Sequence, residues 1–409
     1  MQRLRLWFRT RPKWQRISLV ALLFLILVGL TSWWAADYYG WFRKEEPKVT
    51  QSDVSKPETP APQTPKPTSV PYKVEEVASN LFVPWAIVFT SKDRMIVTER
   101  SGAVRVIQKG TVQPAPLTTF GEVATGGEEG LMGLAKDPHF DQNKYLYTCI
   151  ATEAGGRMHD KVVRFSDTPG GGERKTLLDN IPAAQYHAGC RVKFGPDGKL
   201  YVTTGDATNR AIAQDKNSLG GKILRINADG SIPSDNPFGS PIWSYGHRNP
   251  QGLDWQPGTN ILIATEHGPS GFDGPLGGDE VNLIEKGGNY GWPLVSHNNT
   301  REGTKAPMLV FTPAVAPADG HFYRSDVLPQ FTGNYFFGML KGEGLYRVVF
   351  DKQDAHKIIS HEKVSEVNVG RVREVTEGPD GAIYFTSSNQ DGRGTAKTGD
   401  DKIYRITPQ

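Results

Sequence analysis

The 409-residue chain has few runs of helix-forming residues and lacks the short motifs of several common enzyme classes. His361 and Glu362 begin a string that resembles a zinc-protease helix, but Ser365 stands where the second histidine is required. No Gly-x-Ser-x-Gly nucleophile elbow occurs, and the glycines at 170–172 lack the spacing of a phosphate-binding loop. Residues 227–230 begin like a calcium loop but lack its closing glutamate. These strings therefore support none of those four functions.

The chain also lacks a concentration of positive charge on its main part. It contains 47 basic and 44 acidic residues, a formal net charge of +3, but six of the basic residues precede the first acidic one. The remaining 41 basic residues are outnumbered by the 44 acidic ones. Because a nucleic-acid-binding protein presents a basic surface, we expect no nucleic-acid partner.

Cysteine is scarce, with only Cys149 and Cys190 present. In an exported protein the two cysteines could form a disulfide. Cysteines in β-strands are also often simply buried as thiols, and the sequence leaves both interpretations open.

A single long hydrophobic run occurs near the amino terminus. Residues 17–36 carry no charge and are rich in Leu, Ile, Val and Phe, which is enough to cross a bilayer as one helix. The basic segment 1–16 predicts a cytoplasmic amino terminus and an extracytoplasmic main domain. A cleaved signal peptide is the alternative, but bulky Trp33 or Trp34 would occupy a position that requires a small residue. We therefore expect a single-pass protein anchored in the cell membrane.

The segment after the anchor, residues 37–71, contains seven prolines between positions 47 and 71 among Thr, Ser, Lys and Gln. This composition builds no hydrophobic core and favours an extended polyproline II conformation. It predicts an extracytoplasmic linker that holds the main domain, residues 72–409, away from the membrane.

Six similar segments occur in the main domain, each a polar turn followed by a strand-like run. They are residues 91–98, 141–148, 196–203, 256–263, 331–338 and 379–386. Their apolar centres are 47 to 74 residues apart, which fits one four-stranded propeller blade each, with loop insertions. The pattern predicts an all-β, six-bladed β-propeller, a fold that places binding sites at the mouth of its central channel.

The two ends of the main domain, near Tyr72 and at residues 402–407, both read as alternating strands. An open propeller would leave a sheet edge exposed. We therefore expect the first strand to pair with the last blade and close the ring.

Polar and charged residues are concentrated in particular loops between the predicted strands. These are residues 185–191, 204–206, 245–252, 266–269, 279–280 and 287–292, with Lys341, Arg371 and Arg373. In their order along the chain, together with residues 130–140, these strings resemble the soluble glucose dehydrogenases that depend on pyrroloquinoline quinone (PQQ). This family includes aldose sugar dehydrogenases and sorbosone-dehydrogenase-like proteins, and the resemblance covers residues 75–407. It implies a six-bladed propeller, in agreement with the repeats.

The resemblance implies oxidation of an aldose at its anomeric carbon to a lactone, with hydride transfer to PQQ. His187 matches the residue that takes the hydroxyl proton, for which a histidine is suited because its pKa lies near working pH. Asp206 matches the residue that orients this histidine and contacts the sugar. Arg248 and Asn249 match residues at the reactive quinone carbonyl, where positive charge stabilises a developing oxyanion.

The cofactor is a tricarboxylate, and the resemblance assigns its carboxylates to Lys341, Arg371 and Arg373, since arginine binds carboxylates bidentately. The resemblance also implies calcium. The backbone carbonyls of Gly268 and Pro269 match ligands of the ion that polarises the quinone. Glu280 and the Tyr290 carbonyl match a second, structural calcium site.

The chain departs from the family pattern at two places. Residues 270–278 form a loop about six residues longer than is common, beside the expected calcium, so it should reshape or cover the pocket. Glu128 stands where relatives carry glutamine, and its carboxylate should contact the sugar and oppose binding of an anionic cofactor.

Two other functions fit the fold. One is a non-catalytic propeller that binds a glycan or protein partner, which would be expected to lose the basic and histidine residues. The other is a calcium-dependent, lactonase-type hydrolase, which would have acidic and amide groups around a central metal. The sequence identifies neither the sugar nor the external electron acceptor.

Overall fold

The computed structural model describes residues 69–409. The predicted cytoplasmic segment 1–16, the anchor 17–36 and nearly all of the linker 37–71 lie outside the described residues. From residue 69 onward, no helix is long and apolar enough to cross a membrane.

The described chain forms six antiparallel sheets arranged as the blades of a propeller. The first strand, β1 (Tyr72–Ala78), belongs to the last blade. Blade 1 contains β2 (Pro84–Ser91), β3 (Arg94–Glu99), β4 (Ala103–Gln108), β5 (Thr111–Val112) and β6 (Thr118–Thr119). Blade 2 contains β7 (Leu131–Lys136), β8 (Tyr145–Ala154), β9 (Arg157–Ser166) and β10 (Lys175–Pro182). Blade 3 contains β11 (Val192–Phe194), β12 (Leu200–Thr204), β13 (Lys222–Ile226) and β14 (Ile242–Tyr245).

In the other three blades the strands again pair in the order in which they occur along the chain, except that the edge strand of blade 6 is β1. Blade 4 contains β15 (Pro250–Trp255), β16 (Leu262–Glu266), β17 (Asp279–Ile284) and β18 (Leu309–Phe311). Blade 5 contains β19 (Pro317–Phe322), β20 (Tyr335–Met339), β21 (Leu345–Phe350) and β22 (Ile358–Lys363). Blade 6 contains β23 (Val372–Glu377), β24 (Ile383–Ser387), β25 (Ile403–Pro408) and β1. The only helical turns in residues 69–409 are α1 (Phe140–Asn143) and the 3₁₀ turns Pro169–Gly171 and Arg210–Ala213.

The six segments found in the sequence each end within the second strand of a blade and include its first residues. Strands β12, β16, β20 and β24 are buried along their whole length, because neighbouring blades pack against both of their faces. Each fully buried Leu, Ile, Val or Phe side chain contributes about 1.5–3 kcal/mol. The sequence signal is therefore strongest where burial is greatest, and the prediction of a six-bladed propeller is confirmed.

The ring is closed by strands from the two ends of the domain. Strand β1 pairs antiparallel with β25, and Tyr72 lies opposite Pro408. The predicted closure is confirmed, and it removes an open edge that would otherwise be free to pair with another chain.

Candidate active site

The predicted site residues lie at one end of the propeller because of the antiparallel pairing within each blade. The start of each first strand lies beside the end of the second strand, as in the pairs Val192–Val202 and Pro250–Glu266. Residues just before a first strand and just after a second strand therefore share one face. The predicted residues in these positions are Glu128, His187, Asp206, Arg248, Asn249, Gly268, Pro269, Lys341 and Arg371.

His187 and Asp206 form a buried pair at this face. The His187 Nδ1 atom lies 2.7 Å from Asp206 Oδ1, and Asp206 also accepts hydrogen bonds from Trp292 Nε1 at 2.8 Å and from the Thr208 amide at 2.9 Å. Since the carboxylate accepts at Nδ1, the hydrogen of a neutral imidazole is held there and Nε2 is left as an acceptor. The pair thus has the arrangement of a general base with its orienting carboxylate.

The backbone around this pair is tightly packed. His187 adopts a φ of 58°, in the left-handed region that costs a non-glycine residue free energy and is concentrated at functional sites. A Cβ atom at Gly205 would lie 1.7 Å from the carbonyl oxygen of His187. Glycine is therefore required before Asp206 for the two loops to approach.

Arg248 is buried beside the pair, and its guanidinium lies 5.7 Å from the ring of Trp292. Its Nε donates to Asp273 Oδ2 at 2.7 Å and its Nη1 to the His267 carbonyl at 3.2 Å. The Arg248 amide donates to Glu266, which fixes the backbone. Nothing in the sequence marks Asp273 as the partner of this arginine.

Two buried polar atoms near Arg248 have no hydrogen-bond partner within the described structure. They are Asn249 Nδ2 and His267 Nε2. Burial, together with the charge of Arg248, holds the pKa of His267 well below its usual range, so this imidazole is neutral. The sequence analysis did not assign a role to His267, although it lies in the 266–269 string. Both atoms are therefore available to hydrogen-bond a group bound at this site.

Two of the three predicted carboxylate-binding residues, Arg371 and Arg373, share a counter-ion that no sequence motif marks. Asp391 Oδ2 lies 2.8 Å from Arg371 Nε and 3.4 Å from Arg373 Nη2. Burial lowers the pKa of Arg373 to about 10, so it is still charged at neutral pH. Lys341 is exposed, and its side chain forms no ion pair or hydrogen bond with residues 69–409. No short motif marks Asp391, which lies a few residues after β24, the second strand of blade 6.

Glu128 is held near His187 but is not a free charge. Its Oε2 accepts a hydrogen bond from the His187 amide at 3.2 Å, and its Oε1 lies 3.0 Å from Arg393 Nη1. Arg393 also lies 5.3 Å from the ring of Tyr186. Because Arg393 neutralises it, Glu128 need not oppose an anionic cofactor as its sequence position alone suggested.

The four residues predicted to bind calcium line one small cavity. The cavity wall contains Gly268, Pro269, Glu280 and Tyr290, together with Glu266. Burial and the nearby Glu266 charge raise the pKa of Glu280 to about 8. One buried and one half-buried carboxyl group beside backbone carbonyls are a donor set suited to a hard cation.

A different group of potential metal ligands, Cys149, Asp160 and Cys190, is the only close set of three His, Cys, Asp or Glu side chains in the described part of the chain. The two cysteines form a disulfide with a Cα–Cα distance of 6.1 Å. This pairing, which the sequence left open, connects β8 to the segment that carries His187.

Comparison with known proteins identifies the family. A model of the glucose/sorbosone dehydrogenase family matches residues 81–403. The chain belongs to this family. The resemblance seen in the sequence is thus confirmed, and the family makes the chain an oxidoreductase of the aldose or glucose dehydrogenase type.

Individual relatives agree with this membership. Aldose sugar dehydrogenase YliI of Escherichia coli is 31% identical, and the match covers 78% of this chain and 91% of that protein. A Thermus thermophilus structure described as a glucose dehydrogenase is 40% identical, covers 82% of this chain and 99% of its own, and gives a TM-score of 0.75. The structure of the PQQ-bound aldose sugar dehydrogenase of Streptomyces coelicolor is 30% identical. The match covers 83% of this chain and 99% of that chain, with a TM-score of 0.72.

Proposed function

We propose that this glucose/sorbosone dehydrogenase family member is an extracytoplasmic quinoprotein that oxidises aldoses at the anomeric carbon to lactones. The observation that carries this proposal is the buried His187–Asp206 pair, whose arrangement leaves Nε2 of the imidazole free to accept a proton. The PQQ-bound relative from Streptomyces coelicolor supports the choice of cofactor.

The residues present fit PQQ. Arg371 and Arg373 are two buried cations with a single carboxylate between them, so the group retains positive charge for a tricarboxylate ligand. The unpartnered Asn249 Nδ2 offers a further buried donor. When bound, PQQ supplies the hydride acceptor, so that loss of the hydroxyl proton and of the anomeric hydride converts an aldose to a lactone.

The residues of the chain handle the proton and the charge. His187 Nε2 accepts the proton of the anomeric hydroxyl, and Asp206 stabilises the imidazolium that results. Arg248 places its positive charge where negative charge develops, which is most effective in a buried site. Lys341, which is exposed just after β20, adds a further cation for a carboxylate.

We also propose that calcium binds in the cavity formed by the 266–269 and 279–290 segments. The Gly268 amide donates to Asp279 at 2.7 Å, which fixes the backbone that carries the Gly268 and Pro269 carbonyls. For the second, structural calcium, Glu280 and the Tyr290 carbonyl would supply oxygen ligands on the wall of the same cavity. Bound calcium would also polarise the quinone as a Lewis acid.

Reconstitution tests the proposed reaction. Full-length protein in detergent would be mixed with PQQ and calcium, and dye reduction would be measured with glucose and other aldoses. We expect turnover that depends on PQQ, is lost in His187→Ala and is unchanged in the exposed control His356→Ala. A folded protein that binds no PQQ in a fluorescence titration would contradict the proposal and favour a non-catalytic binding propeller.

For the first 71 residues we propose a cytoplasmic segment (1–16), a membrane anchor (17–36) and an extracytoplasmic linker (37–71). The uncharged run and the basic residues before it support this arrangement. In fractionated cells the full chain should sediment with membranes and resist alkaline extraction, and deletion of residues 1–36 should release it. A deleted chain that still sediments would show that another part of the protein binds the membrane.

A further inference from the structure

The long loop 270–278 lies over the candidate active site. The ring of Phe272 is nearly parallel to the His187 imidazole, with an interplanar angle of 20° and a centroid distance of 6.3 Å. Phe272 is also 73% exposed, the largest exposed fraction of any large hydrophobic side chain in the described residues. Single exposed apolar side chains are common, but this ring lies parallel to the imidazole of the candidate base, within reach of any substrate that contacts His187.

The position of the loop is maintained by polar contacts with the site. Asp273 accepts from Arg248 Nε at 2.7 Å, and Ser270 Oγ accepts from Arg248 Nη2 at 3.0 Å. The Asp273 carbonyl accepts from Arg210 at 2.8 Å, and the Ser270 amide donates to Asp273 Oδ1 at 2.9 Å. Ser270 and Asp273, one on each side of Phe272, are thus both bound to the arginine that lies next to His187.

The base of the loop is closed by a hydrogen bond from the Gly277 amide to the Pro269 carbonyl at 3.2 Å. Gly277 has a φ of 97°, which other residues rarely adopt. The loop is therefore a compact unit attached at its base and at Arg248, and it holds Phe272 above the site.

The mouth of the site has a second exposed aromatic residue. Tyr186 directly precedes His187 in the chain and is 43% exposed. An aldopyranose has both hydroxyl groups and a face of C–H bonds, and that face packs well on an aromatic ring. A sugar whose anomeric hydroxyl reaches His187 would meet the Phe272 ring on the solvent side.

We propose that Phe272 is a substrate-contacting residue that sets sugar preference by stacking on the C–H face of the aldose, and that Asp273 positions it through Arg248. This inference rests on the proposed function and deepens it. It assigns the extra residues of the loop to the sugar, whereas the cofactor is held by Arg371, Arg373 and Asn249.

The test compares three full-length variants reconstituted with PQQ and calcium. Phe272→Ala should raise KM for aldopyranoses about tenfold, with kcat within about twofold, because one aromatic contact is removed. Phe272→Tyr should restore KM. Leu276→Ala is the matched control, since this side chain belongs to the same loop and is 66% exposed. The PQQ dissociation constant, measured by fluorescence titration, should be equal in all three.

Distinct outcomes separate the inference from the proposed function. Unchanged KM values in Phe272→Ala, or an equal rise in Leu276→Ala, would overturn the role of Phe272 and leave the dehydrogenase reaction intact. A tenfold weaker PQQ affinity in Phe272→Ala would show that the ring contacts the cofactor and would also overturn the inference. A wild-type protein that binds PQQ but oxidises no aldose would refute the proposed reaction itself, and the inference with it.

Discussion

Asp206 holds His187 by a 2.7 Å contact to Nδ1, while its other carboxylate oxygen accepts the Trp292 indole at 2.8 Å. The histidine is thus oriented by a carboxylate that is itself fixed from the opposite side. In a neutral imidazole these contacts would keep the hydrogen on Nδ1, as the proposed role of His187 as a base requires.

Replacing this carboxylate should impair the chemical step. In Asp206→Asn the imidazole loses the partner that stabilises its protonated form, and we expect kcat to fall by about 10²–10⁴-fold with little change in KM. Steady-state kinetics with a reducible dye measure the effect. The exposed turn variant Asp229→Asn should behave like wild type. A kcat within about threefold of wild type would show that the chemical step does not depend on this carboxylate.

Asp391 should be required for stability before the cofactor binds. Asp391→Asn leaves Arg371 and Arg373 buried without a counter-ion, which should lower the free energy of unfolding by about 3 kcal/mol. Urea unfolding with and without PQQ tests this, because a bound carboxylate should recover much of the loss. The exposed control is Asp354→Asn. Equal stability of Asp391→Asn and wild type would mean that the arginines have other partners.

His321 should make the propeller sensitive to acid. Burial lowers the pKa of His321 to about 3, despite the attraction of Asp254, and Lys193 and Arg324 each place a nitrogen within 3.5 Å of its ring nitrogens. The unfolded chain takes up a proton near its ordinary pKa of about 6.5, whereas the folded protein does not. Stability is therefore complete above pH 6.5 and declines as the pH falls towards 3.

The contribution of His321 can be measured by urea unfolding at pH 7, 6, 5 and 4. One proton that binds only to the unfolded state gives a slope of about 1.4 kcal/mol per pH unit. His321→Gln should lose that part of the slope, and the exposed variant His356→Gln should keep it. Identical slopes in His321→Gln and wild type would show that His321 is protonated in the folded protein.

The disulfide should stabilise the part of the domain that carries His187, the proposed base. Cys149 and Cys190 are fully buried, and Cys190 lies three residues after His187. The double variant Cys149→Ala, Cys190→Ala should lower the free energy of unfolding by about 2–4 kcal/mol. Because the bond is buried, dithiothreitol should not reduce it in the native protein. In the presence of dithiothreitol, thiol labelling should appear only when the protein is unfolded. Rapid labelling of the native protein would contradict the buried position.

The positions of the site residues were predictable because they lie at strand ends. His187 precedes β11, Asp206 follows β12 and Lys341 follows β20, so the antiparallel pairing of each blade is enough to place them on one face. Their charge partners were not predictable in this way. Asp391, Arg393 and Asp273 carry no motif, and nothing in the sequence pairs them with Arg371, Glu128 and Arg248.

The sequence by itself determined the number of blades, the identity of the loops that carry chemistry and the family, since all three depend on local patterns. Second strands that are buried on both faces are rich in apolar residues, and that enrichment is visible without a structure. The tertiary structure alone decided that Cys149 bonds to Cys190, that Arg393 neutralises Glu128, and that Phe272 lies over His187. These contacts depend on how six blades pack in a ring and on how one long loop folds over its mouth, because residues far apart in the chain become neighbours only when the ring closes.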